Sequence, residues 1–461
     1  MKKAFFTILA AFLALQGCSR KEENFAYWAK EVNISTVDNS LRAKITVSLK
    51  EDCTYSIRYW KEGDENTAKY TAPQKASKGE NSTTLKFLYP QTDYMFRIVV
   101  DGGAESKDVP FRTGALPADI PQYTVESTSD MDSPLPGLLM QWDSAKPGYV
   151  TFCDYDGNIV WYQSFGQGIR TAWLDPGTGR LAVMAGFKTG ENMDFQRLVD
   201  EVVICTLDGD VVFRRKAGDG FISNLHHEFK LLPDGSMLFV HNVLKDYDLR
   251  SRGADAPLTQ VWGDGFVLCD SEGKVQKTWD CFGELDPVAV DYINPVKTAE
   301  DYVHANSVEI DSDGNYYMTF NRISELWKID GATGDVLYRL GKHGDIDLTN
   351  GEMPSGGLHA ATVLEPDMVL CYDNGSDRGY SKGVLYRIDP VAKTATCELE
   401  IRLPEELSSK NRSNFQKIND DLYLCCSTVS GKAVFADSKG NIRRVISRSG
   451  ISYRAYYFEN L

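Results

Sequence analysis

Hydrophobic and polar positions alternate along most of the chain, in short runs separated by turn-forming residues. Residues 27–115 contain the runs RAKITVSL, YSIRYW, TTLKFL and YMFRIVV, which predict the strands of a small β-sandwich. From residue 116 to residue 461, pairs of strand-like runs flank an Asp-Gly or Asn-Gly turn, as in CDYDGNIVWY and EIDSDGNYYMTF. Because no long helical periodicity interrupts either region, the pattern predicts an all-β chain.

The spacing of the hairpins in residues 116–461 indicates their arrangement. Two hairpins per unit give about six units over roughly 340 residues, which is the spacing of four-stranded propeller blades. A parallel β-helix would need shorter and stricter repeats, so we rank it lower. We therefore predict a six-bladed β-propeller over residues 116–461, preceded by a β-sandwich over residues 27–115.

The first residues follow the layout of a secretory signal. Basic MKK precedes an apolar run over residues 4–15, and LQGC ends the segment at Cys18. The run is too short to span a bilayer as a stable helix, so we expect a signal peptide over residues 1–17. Cys18 resembles the lipid-attachment cysteine of bacterial lipoproteins, although Gln16 stands where a smaller residue is usual, and residues 18–26 would form a linker. We expect an exported chain, lipid-anchored to the bacterial outer membrane on its periplasmic or outer face; ordinary cleavage with Cys18 incidental is the alternative.

The formal net charge of −15 limits the partners of the chain. Such a surface repels nucleic acid and anionic membrane, so the chain reaches a membrane only through the lipid anchor, and an anionic substrate needs a local cationic site. The cysteines after Cys18 lie in strand-like contexts without C-x-x-C spacing, which indicates core residues and no zinc or redox motif. A disulfide is allowed and its pairing stays open. No G-x-x-x-x-G-K-[ST] loop occurs, and we predict no cofactor.

Histidines mark the starts of successive units in the repeat region. LHHEFKLLPDG holds His226 and His227, VHANSVEIDSDG holds His304, and GLHAATVLEPD holds His359. The first strand of each propeller blade lines the central channel, so we expect these histidines to converge at one mouth of it. Arg322 ends the run NYYMTFNR and offers a planar donor fork suited to a tetrahedral oxyanion. The pattern predicts an anion site made of histidines and an arginine.

The order of these motifs resembles the motif set of bacterial arylsulfate sulfotransferases. The resemblance rests on HHEFKLLPDG, HANSVEID with NYYMTFNR and LWKID, RLGKHGD, and LHAATVL with MVLCYDNGSDR. The residues Leu88, Pro90, Thr92 and Tyr94 before FRIVV also resemble the corner of a fibronectin type III domain, and an immunoglobulin-like domain before a six-bladed propeller is that family's architecture. The resemblance implies transfer of a sulfuryl group from a phenolic sulfate ester (the aryl sulfate donor) to a phenolic acceptor, without a nucleotide donor.

The resemblance also implies roles for individual residues. His359 corresponds to the histidine that becomes sulfurylated, so the reaction would run in two displacements through a sulfohistidine. His304 and Asn306 correspond to residues that hold the sulfuryl group, and Arg322 corresponds to the arginine beside them. Loss of the phenolate needs a proton or a positive neighbour, and His304 and His227 are both open for that role.

Other matched positions are less determined. His227 corresponds to the remaining site histidine because Glu228 follows it, while the choice between His226 and His227 stays open. The segment after the nucleophile supports it structurally, through Asp373, Asn374 and Arg378. The two residues after His359 depart from the family, which puts the acceptor preference in doubt; they are Ala360 and Ala361.

Two other classes of function compete with sulfuryl transfer. A non-catalytic binding propeller would dock through the fibronectin-like segment, but it has no reason to combine inward histidines with an arginine. A metal-dependent hydrolase would use the three histidines as zinc ligands, but a cation would repel the arginine, and we predict no metal. The physiological donor and acceptor, a homodimer, and net hydrolysis with water as acceptor stay open.

Overall fold

The computed structural model describes residues 20–37, 39–127, 135–186 and 199–461. The predicted signal peptide and Cys18 lie outside these residues. The chain divides into two compact units, of which the first is Met1–Ile120 with Ile159–Tyr162 and the second is Pro121–Asn158 with Gln163–Leu461. Within the described ranges, no helix is both long and apolar enough to cross a membrane.

Among its described residues, the first unit contains one α-helix and two antiparallel sheets around a shared core. Its elements are α1 (Arg20–Trp28), β1 (Ala29–Val37), β2 (Asn39–Leu49), β3 (Cys53–Lys61), β4 (Lys69–Tyr70), β5 (Gln74–Ala76), β6 (Gly79–Leu85), β7 (Asp93–Val100), β8 (Ala104–Glu105) and β9 (Val109–Arg112). One sheet has the order β1-β2-β6, and the other has the order β4-β3-β7-β8, with β5 on β3 and β9 on β7. Ile45, Ile57 and Phe96 meet in the core between the two sheets. Buried and less buried residues alternate along β7, as an amphipathic strand requires.

The remaining strands are short and belong to the second unit, except for Ile159–Tyr162, which group with the first. In chain order they are β10 (Tyr123–Ser127), β11 (Leu138–Trp142), β12 (Tyr149–Cys153), β13 (Ile159–Ser164), β14 (Ile169–Asp175), β15 (Arg180–Ala185), β16 (Glu201–Thr206), β17 (Val211–Lys216), β18 (Leu225–Leu231), β19 (Met237–Tyr247), β20 (Thr259–Cys269), β21 (Val275–Asp280), β22 (Ala305–Ile310), β23 (Tyr316–Phe320), β24 (Glu325–Ile329), β25 (Val336–Leu340), β26 (Asp347–Leu348), β27 (Leu358–Glu365), β28 (Met368–Asp373), β29 (Lys382–Asp389), β30 (Thr394–Arg402), β31 (Asn414–Lys417), β32 (Leu422–Ser427), β33 (Lys432–Asp437), β34 (Ile442–Arg448) and β35 (Tyr456–Phe458). The strand content confirms the prediction of an all-β chain.

Consecutive strands of the second unit pair antiparallel into successive sheets. Three sheets run in plain chain order, namely β14 to β17, β18 to β21 and β22 to β25. The strands β27 to β30 add the short parallel strand β26 at the outer edge, and β31 to β34 add β10. Strand β11 pairs with β12 on one side and with β35 on the other. Among the described residues this gives six sheets in the second unit.

The tight turns predicted from the sequence connect these strands. In the turn between β22 and β23, the Asp311 carboxylate accepts the backbone N–H groups of Asp313 and Asn315, at 3.0 and 2.8 Å. Gly314 has φ of +84°, a left-handed conformation that glycine adopts without strain. The Asp-x-x-Gly signature therefore determines the hairpin through one carboxylate and one glycine.

Strands from the two ends of the second unit close the sheets into a ring. β10 pairs with β34, from Tyr123 opposite Arg448 to Ser127 opposite Arg444. β35, the last strand, completes the sheet of β11. The strands β14, β18, β22, β27, β31 and β35, which we call the inner strands, each lie at one edge of their sheet and follow one another around the ring. This closed ring of antiparallel sheets is the arrangement of a β-propeller.

Bulges occur near the start of the inner strands. The register of pairing shifts between Ile169 and Thr171, His226 and Phe229, Ala305 and Ser307, and His359 and Thr362. His227, His304 and Ala360 at these positions have φ of +58°, +55° and +52°. A non-glycine residue in this region costs on the order of 1–3 kcal/mol, and bulges re-aim side chains beside active sites.

Candidate functional site

The bulged starts of the inner strands bring the predicted site residues together. His227 comes from β18, His304 directly precedes β22, and His359 lies in β27. The ring centroids of His227 and His304 are 4.9 Å apart. The charge of His304 lowers the pKa of His359, and the charge of His359 lowers the pKa of His227. His359 therefore lies close enough to both rings for their charges to interact. The structure therefore places the three histidines in one cluster.

His359 has a defined tautomer. The side-chain nitrogen of Asn374 donates to the backbone carbonyls of Ser409 and Arg412, at 2.6 and 3.2 Å, so the amide oxygen of Asn374 faces His359. This oxygen can only accept, and its partner Nδ1 of His359 must therefore carry the proton. Nε2 of His359 then holds the lone pair, and it accepts the backbone N–H of Arg412 at 3.3 Å.

His359 is neutral at neutral pH. Burial lowers its pKa well below the ordinary value, and the positive charges of His304, Arg454 and Arg170 lower it further. The hydrogen bond with Asn374 acts in the opposite direction and is outweighed. A neutral imidazole with an unprotonated Nε2 is a competent nucleophile.

Asn306 connects β22 with the strand that carries His359. Its amide nitrogen donates to the carbonyl of Leu358 at 2.7 Å, and its amide oxygen accepts the N–H of Ala360 at 3.2 Å. The same oxygen accepts the hydroxyl of Thr319 at 2.8 Å. These bonds hold the backbone on both sides of His359, so the structure gives Asn306 a positioning contact; direct contact with a sulfuryl group stays a prediction.

Asp301 joins the other two predicted residues, His304 and Arg322. Nδ1 of His304 lies 2.8 Å from Oδ2 of Asp301. Arg322 donates from Nε to the Asp301 carbonyl and from Nη2 to Oδ2, both at 2.9 Å. Burial raises the pKa of Asp301, but the hydrogen bond and charge of His304 and the charge of Arg322 outweigh burial and lower it. Asp301 is therefore an ionised acceptor for both side chains.

The two adjacent histidines of β18 occupy different positions. His227 faces the cluster, since its ring also lies 5.9 Å from that of Tyr453. His226 lies behind it, with Nε2 3.1 Å from Oδ1 of the buried Asp264 and with Nδ1 hydrogen-bonded to Nδ1 of His227. Burial lowers the pKa of His227 well below its ordinary value, and the charge of Arg170 adds to this. The geometry favours His227 as the member of the cluster and His226 as its support.

Three further arginines adjoin the cluster, and the sequence patterns did not indicate them. Arg454 is fully buried and bonds to Glu228 at 2.5 Å and to the Asn306 carbonyl at 2.7 Å. Arg170 lies with Cζ 4.9 Å from the ring centroid of Tyr453, and burial lowers its pKa to about 10, so it stays charged at neutral pH. Arg412 contributes its backbone N–H to His359. Each of the three lies in or just before an inner strand, namely β14, β31 or β35. A search of the starts of all six inner strands would therefore have found them.

An open cleft of about 490 Å³ is lined in part by Arg322 and adjoins the cluster through Asn321. Its lining includes Asn321, whose amide nitrogen lies 3.3 Å from Nδ1 of His359, and the cations Lys342 and Lys410. Tyr292 stacks on His343 at one wall, with ring centroids 3.9 Å apart. This volume lies in the range of sites for small organic ligands.

The remaining predicted residues are close by. Asp373 pairs with Arg378 at 2.9 Å, and burial raises the pKa of Asp373 to about 6 although Arg378 opposes the shift. Ala360 and Ala361 donate backbone N–H groups to Asn306 and Ser307. The nine cysteines in the described residues are free thiols. In the same ranges, no three histidine, cysteine, aspartate or glutamate side chains are grouped to hold a metal ion.

Comparisons with solved structures give distant similarity. A Bacteroides caccae protein of unknown function is 13% identical over 71% of this chain and 99% of its own, with a TM-score of 0.43. The nidogen/laminin complex matches at 8% identity over 70% of this chain and 100% of that one, with a TM-score of 0.40. The β-propeller domain of Cps50 (Swd1) from Myceliophteria thermophila matches at 10% identity, 72% and 89% coverage, and a TM-score of 0.39. A search of curated proteins found no match.

The family comparison is more specific. The model of the family described as arylsulfotransferase matches residues 122–455, which include His227, His304, Arg322 and His359. The match covers most of the chain and confirms the resemblance that the ordered motifs indicated. The chain therefore belongs to the arylsulfotransferase family and is a sulfotransferase that acts on aryl sulfates.

Proposed function

We propose that this protein transfers a sulfuryl group from a phenolic sulfate ester to a phenolic acceptor through a sulfohistidine at His359. The observation that carries the proposal is the tautomer of His359, which is neutral, has its proton on Nδ1 towards Asn374, and has the lone pair on Nε2. A histidine buried only to fill the core would not need an amide whose own orientation is held by two carbonyl groups.

The reaction then has two displacements. In the first, Nε2 releases the backbone N–H of Arg412 and its lone pair attacks sulfur. The bond between sulfur and the aryl oxygen breaks, and its electrons leave with the phenolate, which takes a proton from His304 or His227. In the second, the acceptor phenol gives its proton to the histidine that protonated the first phenolate, its oxygen attacks sulfur, and the sulfur–nitrogen bond breaks to return His359 to its neutral form. The amide oxygen of Asn374 accepts the hydrogen bond from Nδ1–H of His359 throughout and stabilises the positive charge of the sulfurylated ring.

Donors around the cluster hold the three sulfuryl oxygens during each displacement. We assign this role to Arg322, His304 and His227, with Asn306 keeping the backbone of His359 in place. Fixed donors of this kind typically contribute on the order of 10²–10³ in rate for each one. Arg170, close to His227 and charged, adds attraction for the anionic ester in a chain whose net charge is −15.

We further propose that the six sheets of the second unit are the blades of a six-bladed propeller, and that the first unit is a fibronectin type III-like sandwich. In that unit the Tyr94 hydroxyl accepts the backbone N–H of Tyr89 at 2.9 Å, a bond from a tyrosine to the backbone a few residues upstream. Such a tyrosine corner is a hallmark of this sandwich class. Export as a lipoprotein through Cys18 and a homodimer stay predictions.

Mass spectrometry and transient kinetics test the proposal together. Donor aryl sulfate without acceptor should add one SO₃ group to the peptide GLHAATVLEPD and release a burst of phenol stoichiometric with enzyme. His359→Asn keeps a polar group but cannot form the adduct, so burst and adduct should both vanish. The control Gln276→Asn changes an exposed polar side chain of β21 that does not line the cleft and should keep both.

Three results would refute the mechanism: an adduct on another residue, kinetics that require both substrates bound together, or a purified wild-type protein that binds aryl sulfates without turning them over. The last would support a binding propeller instead.

A further inference from the structure

The cleft beside the cluster has a charge opposite to that of the chain as a whole. Among the described residues its lining contains three lysine or arginine side chains, Arg322, Lys342 and Lys410, and a single carboxylate, that of Asp377. The whole chain has a formal net charge of −15. A concave surface of one charge sign raises the local concentration of ligands of the opposite sign. The cleft is therefore suited to anionic ligands.

Two of the three cations have no acidic partner in the described part of the chain. Arg322 pairs with Asp301, with Nη2 2.9 Å from Oδ2. Lys342 and Lys410 are exposed, and neither forms an ion pair with another described residue. Their charges are therefore available to a ligand in the cleft.

The acidic side chains closest to these lysines have other partners. Asp345 lies three positions after Lys342 but pairs with Lys393 at 3.1 Å. Both carboxylate oxygens of Asp377 lie within hydrogen-bond distance of the Ser355 hydroxyl, at 2.7 and 2.6 Å. The carboxylates are thus held in place by other groups, and a bound anion would not have to displace them from the two lysines.

The same cleft has a flat aromatic wall. The rings of Tyr292 and His343 stack with centroids 3.9 Å apart and planes 6° apart. Arg339 holds both residues, because its Nη2 donates to the Tyr292 hydroxyl and to the His343 carbonyl, each at 2.8 Å. A preformed flat aromatic surface favours stacking with another planar ring. The cleft therefore combines a surface for an aryl ring with two unpaired positive charges.

We propose that the cleft binds the aryl ring of both substrates and that Lys342 and Lys410 select phenols with a second acidic group, such as a carboxylate, away from the reacting oxygen. The inference rests on the proposed sulfuryl transfer and names its substrate class. The leaving oxygen of the first displacement and the attacking oxygen of the second take the same position opposite Nε2 of His359. One cleft therefore serves donor and acceptor in turn.

Two contacts connect the cleft with the nucleophile. Lys410 lies two positions before Arg412, whose backbone N–H bonds to Nε2 of His359 at 3.3 Å. Asn321, which lines the cleft, reaches Nδ1 of the same ring at 3.3 Å. A phenol whose oxygen meets the sulfuryl group at His359 thus has the cleft within reach of its other substituents.

A pair of acceptors that differ in charge tests the inference. 4-Hydroxyphenylacetate and 4-hydroxyphenylacetamide have the same ring and nearly the same phenol acidity, but only the first is an anion at neutral pH. With 4-nitrophenyl sulfate as donor, kcat/KM should be on the order of tenfold higher for the acid, since two exposed ion pairs contribute modestly. The ratio should fall towards one in about 1 M NaCl, where the Debye length is about 3 Å.

A double variant and a matched control assign the preference to the cleft. Lys342→Gln with Lys410→Gln should bring the ratio of the acid to the amide close to one, because both unpaired charges are removed. Lys274→Gln with Lys439→Gln changes the net charge by the same amount at exposed lysines that do not line the cleft, and it should keep the ratio.

Equal kcat/KM for acid and amide in the wild-type protein, or a preference that the cleft double variant keeps, would overturn the inference. Loss of the preference in the control variant as well would overturn it too, since the effect would then come from net charge alone. Equilibrium binding of the two acceptors gives the same comparison without turnover. Tighter binding of the acid in a protein that transfers no sulfuryl group would refute the proposed function and leave the anion-selective cleft in place.

Discussion

The two sides of the site are built from different chemistry. One side, which we call the amide side, consists of His359, Asn374 and Asn306, and its hydrogen bonds join neutral groups. The other, the carboxylate side, consists of His304, Asp301 and Arg322, and its hydrogen bonds are made to a carboxylate. An amide holds the nucleophilic histidine in one tautomer without adding charge, whereas a carboxylate adds a negative charge beside its histidine and arginine, so one type of residue has two different surroundings in the same site.

The hydrogen-bond partners of His359 and His304 also differ in their separation from these histidines along the chain. Asn374 is fifteen positions after His359, at the end of the neighbouring strand β28, and an antiparallel hairpin brings the two together. Asp301 is three positions before His304, outside any strand. The amide side therefore depends on sheet register, and the carboxylate side depends on the local conformation of one loop.

The largest effect is expected from breaking the carboxylate side at Arg322. Arg322→Leu removes a donor for the sulfuryl oxygens, and the rate should fall on the order of 10²–10³-fold while the protein stays folded. Steady-state kinetics with 4-nitrophenyl sulfate and circular dichroism would measure the two quantities. The matched control is Arg402→Leu, which removes an exposed arginine paired with Glu400. Near-normal turnover of Arg322→Leu would contradict the role of this side chain.

A smaller effect should follow from breaking the amide side at Asn374. Asn374→Ala removes the acceptor for Nδ1 of His359, so the ring can rotate and exchange its tautomer, and the burst should slow about 10–100-fold. The slowing should be equal for phenyl sulfate and 4-nitrophenyl sulfate, because the variant affects the nucleophile and not the group that protonates the leaving phenolate. A loss confined to poor leaving groups would show that the two sides are not distinct. Because the variant also loses bonds to Ser409 and Arg412, its unfolding should be measured in parallel.

The smallest effect on turnover at neutral pH is expected from His241, which affects stability at low pH instead. Burial lowers the pKa of His241 to about 4, whereas the unfolded chain would hold it near 6.5. The unfolded state therefore binds more protons between these values, and the free energy of unfolding should fall by about 3 kcal/mol as pH drops through this window. His241→Gln should flatten the dependence in urea unfolding curves, and the exposed His343→Gln should not. An unchanged slope in His241→Gln would show that this ring is not buried in its neutral form.

Much of this architecture could be predicted from the sequence because its signals are local. Asp311 and Gly314 shape their turn by themselves, and the phase of the hairpins put His304 and His359 at strand starts. The choice between His226 and His227 was not accessible, since it depends on the bulge and on the left-handed backbone of His227.

Other site residues escaped detection for a different reason. Asp301 precedes His304 in a segment that repeats nowhere else in the chain, so no pattern marked it. Arg454 stands next to the strand that closes the ring, and its contacts with Glu228 and Asn306 join residues 226 and 148 positions apart. Contacts over such separations depend on the completed ring, so only the phase of the inner strands, and no motif around Arg454 itself, could have indicated this residue.

The pairing of β35 with β11, which we call the seam, closes the ring and also supports the site. Arg454 reaches Glu228 and the Asn306 carbonyl from the segment just before β35, and Tyr453 beside it packs on His227. If this seam opens, the remaining sheets keep their own hydrogen bonds, yet the cluster loses a buried cation and one wall. Loss of β35 pairing should therefore abolish activity before the other sheets unfold. On gradual denaturation, sulfuryl transfer would report whether the ring is intact.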